Sequence, residues 1–176
     1  MKAITSTNQF ADELADYIWL NGLSNREVKS IADSINYRVC FPAFGKKAWL
    51  RAQLCCLYAF IGTLTLPAVL QDSGCATESE IEGIVARYVQ RLLGRCIAKQ
   101  LLAKYHQRLR VWSAFFDGPG SSEAFLRLGA SFYGFLTGHE CDPEYATVLG
   151  LRFMRYVPLF VGSIENMSQD LELAQN

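Results

Sequence analysis

No charged residue of either sign occurs from Ala52 to Gln71, and no acidic residue between Gly83 and Phe116. Histidine appears twice, at His106 and His139, and none of the six cysteines (Cys40, Cys55, Cys56, Cys75, Cys96, Cys141) belongs to a CxxC pair. These scarcities argue against zinc-ribbon and thioredoxin-type chemistry, and against a disulfide framework. The phosphate-cradling GxxxxGK[ST], the dinucleotide GxGxxG, the metalloprotease HExxH and the esterase GxSxG are all missing, so the common catalytic signatures are not available. Sustained apolar–polar alternation bounded by hairpin turns is also missing, and with it the signal for a sheet. No internal repeat, low-complexity tract or domain-sized linker interrupts the chain.

What remains is 176 residues, 51% hydrophobic and 19% charged, enough for one domain with a substantial core. The zero net charge hides a division. Residues 1–33 carry three basic and five acidic side chains, residues 34–116 eleven and four, and residues 117–176 three and eight. A basic middle of this kind attracts an anionic partner or is neutralised when the acidic C-terminal part folds back on it. Cysteines inside apolar helical patterns read as small hydrophobes and reduced thiols, which implies a cytoplasmic setting. The N-terminal Met1-Lys2-Ala3-Ile4-Thr5 has no apolar run of the secretion-signal type.

Helix punctuation is frequent. Ser6 or Thr7 caps a helix carrying Phe10, Leu14, Tyr17 and Ile18, with Asp12, Glu13 and Asp16 facing elsewhere, and Asn21-Gly22 ends it. Ser24 caps a second helix, and Glu27 sits three residues on, where a capping box needs it. A third helix starts near Gly45 and enters the uncharged stretch. Its length and the preceding Lys46, Lys47 and Arg51 suit a membrane span. Gln53, Gly62, Thr63, Thr65 and Pro67 favour instead a central buried helix, kinked or broken between Gly62 and Pro67. Later, Ser121 or Ser122 caps a helix ended by Gly138. Asp142 then caps another, with Pro143 at its first position and Pro158 at its end. The tail from Ser168 is read as frayed.

The longest helical pattern runs from Thr77 to Phe116. Its row of Arg87, Arg91, Arg95 and Lys99, spaced by four, makes a positive ridge. At about 100° per residue its apolar side changes face between the first and second halves. Either the helix breaks or bends near Gly94 to Ala98, or a single rod is gripped on different faces, and the ridge then follows its wet back.

Other candidates compete with the ridge. The spacing from Gly22 to Ile31-Ala32, then Lys46-Lys47 and Leu50, resembles the DNA-binding end of TetR-like repressors over residues 8–51, a quarter of the chain. Pro42 falls where a recognition helix would continue, and Asn36 stands where the turn often has glycine. The family is therefore not adopted. His139-Glu140-Cys141-Asp142 gathers four potential ligands or catalytic groups in one loop, but a metal needs convergent ligands from elsewhere, and Asp142 already caps a helix. The aromatics of the C-terminal half are mainly core, and any excess would line a groove for an apolar ligand or a partner helix.

The expectation is an all-α, single-domain bundle of six to eight helices, packed around a central hydrophobic helix and a long or kinked helix at 77–116. Its expected role is non-catalytic: an inhibitor, immunity-type protein, adaptor or regulatory subunit without cofactor or metal. Arg87, Arg91, Arg95 and Lys99 would meet an acidic partner protein. The alternatives are a nucleic-acid-binding regulator using the same ridge with residues 24–51, and a ligand-binding protein or enzyme with a site near His139 and Cys141.

Overall fold

A helix that is apolar around its whole circumference must be covered on every side. The first half of the uncharged stretch is such a segment of α3 (Phe44–Ser73): the consecutive residues Leu54, Cys55, Cys56 and Leu57 are all 0% exposed, whereas Leu64 further on is 39% exposed. The structure is a computed structural model and describes residues 6–37, 44–95, 100–117 and 121–175. Among the described residues there are seven helices and no strand, so the all-α expectation holds. Around α3 lie α1 (Thr7–Asn21), α2 (Asn25–Ser34), α4 (Glu78–Gly94), α5 (Gln100–Ser113), α6 (Ser121–Thr137) and α7 (Pro143–Gln175). α3 packs chiefly on α4 and α7, with α5, α6 and α2 completing its cover. α1 leans mainly on α4, and α6 mainly on α7.

The caps act as their residue types require. The Ser6 hydroxyl accepts from the Gln9 N–H at 3.2 Å, and Ser24 accepts from Glu27 at 3.3 Å. Thr77 and Glu80 satisfy each other's backbone N–H groups in a full capping box. Asp142 Oδ1 accepts from the Glu144 N–H at 2.8 Å at the start of α7. Within 77–116, α4 ends at Gly94 with Arg95 as its cap and α5 begins at Gln100; residues 96–99, where the sequence puts most of the break or bend, lie outside the described part.

Neither Pro67, read as the site of a kink or a break, nor Pro158, read as a helix end, interrupts its helix. α3 passes through Pro67 unbroken to Ser73, and α7 passes through Pro158 to Gln175. A proline removes one N–H from the ladder, and the cost depends on where the deprived carbonyl points. In α7, Pro158 and Met154 both lie on the outer face, where water can serve that carbonyl. In α3, Leu66 and Leu70 on either side of Pro67 are 0% exposed, so packing holds the helix together across the lost bond.

Gly62 is a point of close approach and not a break. A Cβ there would stand 2.3 Å from Cε1 of Tyr88, whose fully buried ring lies against the α3 backbone and whose hydroxyl donates to the Tyr58 carbonyl at 3.0 Å. α6 and α7 approach in the same way. A Cβ on Gly129 would lie 2.5 Å from the Ala146 carbonyl oxygen, and one on Gly150 2.7 Å from that of Phe125. The Gly62→Ala variant is expected to lose about 1–3 kcal/mol in denaturant unfolding, because the Tyr88 ring has no space into which to move. An unchanged midpoint would show that the contact is loose.

Candidate functional site: a basic end of the bundle

The basic ridge has acidic neighbours inside the chain. α1 lies alongside α4 so that Asp12 and Asp16, one turn apart, meet arginines at the same spacing. Arg87 Nε and Nη2 donate to the two Asp12 carboxylate oxygens at 3.0 and 2.6 Å, Arg91 lies 3.5 Å from Asp16, and Arg95 donates to Asp16 as well. Among the described residues, the acids that neutralise Arg87, Arg91 and Arg95 come from the N-terminal helix and not from the C-terminal part. The hydrogen bond from Arg87, and after burial its charge, hold the Asp12 carboxyl below its ordinary value. Lys99 lies outside the described residues.

Arg95 also belongs to a second cluster. Its guanidinium lies 5.7 Å from the Trp19 ring centre, and Arg51 from α3 lies 5.9 Å from the same ring. Lys46 sits 6.0 Å from the Tyr37 ring, and Lys104 from the start of α5 sits 5.5 Å from Trp49. Trp49 is fixed by its own indole N–H, which donates to the Leu136 carbonyl at 3.1 Å, and Arg51 Nη2 donates to Asn25 at 2.6 Å. The first turns of α3 and α5 meet the last turns of α1 and α4, so one end of the bundle carries cations resting on aromatic rings. Among the described residues, Lys46, Lys47, Arg51 and Lys104 pair with no carboxylate. The positive ends of the α3 and α5 dipoles add to the field there.

The other sequence candidates are not drawn together. His139 and Cys141 lie in the α6–α7 connection, where Cys141 donates to the Asp142 carbonyl at 3.3 Å, and His106 is exposed on α5. Burial first, then the Asp142 charge, push the Cys141 thiol up, away from an activated thiolate. Among the described residues no three His, Cys, Asp or Glu side chains converge as a metal site. No helix lies between α2 and α3 among the described residues, and Pro42 falls outside them. Asn36 does take the left-handed turn conformation often given to glycine, with φ at 51°.

One cluster had no visible sequence signal. Glu27 sends its carboxylate across to α7, and not back to its own N-cap. Arg152 donates to it from Nε at 3.2 Å and Nη2 at 2.7 Å, and the Tyr156 hydroxyl donates as well. Burial, followed by that bond to Glu27, pushes the Tyr156 phenol up. The cluster floors a cleft of about 540 Å³ with Val148, Leu151, Arg155 and Leu159 on its walls. An Arg and a Tyr four apart on one helix face a carboxylate more than a hundred residues away, which no local pattern announces.

Two stretches, Gly45–Ser73 and Pro143–Gln169, are long and apolar enough to cross a membrane by length and composition. The most apolar part of the first is 67% buried against other helices, that of the second 28%. Compared with models of protein families, with curated proteins and with solved structures, the chain matches none.

Asp12 makes a pH prediction. Its folded-state value is depressed, so its contribution to stability is present above the unfolded value of about 3.8 and is lost as pH falls through the folded value. Asp12→Asn should therefore unfold more easily than the wild type at pH 7, and the two should converge in acid once the pH has fallen through the folded value. An equal gap at both pH values would mean that the Arg87 pair contributes nothing through its charge.

Proposed function

We propose that this chain is a non-catalytic interaction protein, of the inhibitor, immunity, adaptor or regulatory-subunit kind, and that its basic end binds an acidic protein surface. The observation that carries this reading is the set Lys46, Lys47, Arg51 and Lys104, gathered at one end without a carboxylate partner while the ridge arginines have theirs. Arg95 links the two groups through Trp19. Cations held on aromatic rings lose less freedom on binding than free side chains, and Arg51 offers a planar fork matched to carboxylates.

A nucleic-acid role is the second reading, favoured by the interleaving of basic and aromatic residues. Base stacking needs a free ring face, whereas Trp19 already carries two guanidinium groups and Trp49 the Lys104 ammonium. Protein carboxylates suit the arrangement better.

A pull-down with the full chain, compared with a Lys46→Glu/Lys104→Glu variant, tests the proposal. Both lysines are exposed, so the variant should keep its helical circular dichroism. One specific protein should be captured by the wild type and lost from the variant. Retention by the variant would remove the basic end from the contact. Binding to generic DNA or RNA at low salt that weakens steeply as salt rises would favour the nucleic-acid reading.

A further inference from the structure

α7 is covered on one side only. Phe153, Phe160, Ile164 and Met167 form its buried side. The opposite side carries Leu151, Met154, Pro158 and Leu159, of which Leu151 is 47% and Leu159 68% exposed. These residues recur at helical spacing, so they make a continuous apolar strip and not isolated surface side chains. Tyr17 of α1, also half-exposed, widens the strip, since it lines a cleft together with Leu159. The contrast with α3 is plain: its most apolar stretch is mostly buried, that of α7 mostly not.

Two charges share this face. Arg155 and Glu165 are exposed, and among the described residues neither pairs with an opposite charge. They stand about 15 Å apart along the axis. Gly162 lies between them, and a Cβ there would meet nothing within 4 Å, so the backbone is open to close approach. A strip that carries one cation and one anion is complementary to itself when turned end for end, which is what a twofold interface requires. A lipid surface is a poorer match. Helices that lie on membranes carry lysine and arginine beside their apolar face. The exposed charges of α7 among the described residues are Glu144, Arg155 and Glu165, two acids against one base.

We propose that α7 is the contact of a twofold homodimer. Two copies of α7 pack antiparallel and cross at the level of Phe160. Arg155 of each copy then stands level with Glu165 of the other, twice by symmetry, and Pro158 stands level with Gly162. The apolar strip is withdrawn from water, and the two ion pairs set direction and register. One helix crossing buries less than the roughly 800 Å² per partner of a standard interface, so the dimer is reversible and forms as concentration rises. None of these residues belongs to the basic end, and the inference does not rest on the partner proposed for that end.

Sedimentation of the full chain over a range of concentrations is the test. The average mass of the wild type should rise from one chain toward two. Arg155→Glu and Glu165→Arg should each weaken association about tenfold or more, because each sets two like-charge contacts in the interface. The double variant, with the charges exchanged, should associate within about threefold of the wild type. Both positions are exposed, so all three variants should keep their helical circular dichroism. Lys46→Glu/Lys104→Glu should dimerise as the wild type does. A wild type that stays a single chain at every concentration would overturn the proposal. So would single variants that associate undiminished, an exchange that fails to restore association, or a dimer lost in the Lys46→Glu/Lys104→Glu variant. Capture of the single chain by phosphatidylcholine vesicles, with no dimer in their absence, would give the face to a membrane instead.

Discussion

From Ala52 to Gln71, α3 offers water no charged group, and the other helices are arranged as its cover. A helix apolar on all sides leaves its neighbours no choice about which face to turn inward. α4 comes close enough for a tyrosine ring to rest on the α3 backbone at Gly62, and α7 supplies Phe153, Phe160 and Ile164 to the same core. The apolar middle also drives charge to the ends of the bundle. Lys46, Lys47 and Arg51 precede it, Asp72 follows it, and within it the amide of the buried Gln53 has no hydrogen-bond partner.

The positive middle of the sequence separates in space into three groups. Arg87, Arg91 and Arg95 fasten α4 to α1 through Asp12 and Asp16. These pairs are exposed, so they set the alignment of two helices more than they set stability. Arg108 of α5 is buried against Cys56 of α3. Lys46, Arg51 and Lys104 gather at one end, cushioned on Tyr37, Trp19 and Trp49, while Arg110 stays exposed in the last turn of α5. A linear charge count sees one block, and folding makes of it a fastening, a buried charge and a surface.

Local signals were legible. Ser6, Ser24, Thr77 with Glu80, and Asp142 each cap the helix they announce, because a cap depends on residues two or three apart and on little else. The change of apolar side between Tyr88 and Tyr105 marked the stretch in which α4 ends and α5 begins. The break allowed at Pro67 and the end read at Pro158 are not there, because the effect of a proline depends on what surrounds the deprived carbonyl, a tertiary fact. The capping-box reading of Glu27 was half right: its N–H is capped, while its carboxylate goes to Arg152. The ridge was visible as a row of charges, but its acidic neighbours stand some 75 positions away in the chain. The cations on aromatic rings at the basic end come from α3, α5 and the end of α4, and leave no mark in any one window of sequence.

Hydrogen exchange of the native chain tests the central place of α3 most directly. Amides from Leu54 to Ile61 should be the last to exchange, and only at the free energy of global unfolding, because every side of that segment is packed. Exchange there earlier than in α1 or α6 would mean that α3 is not the element on which the others depend.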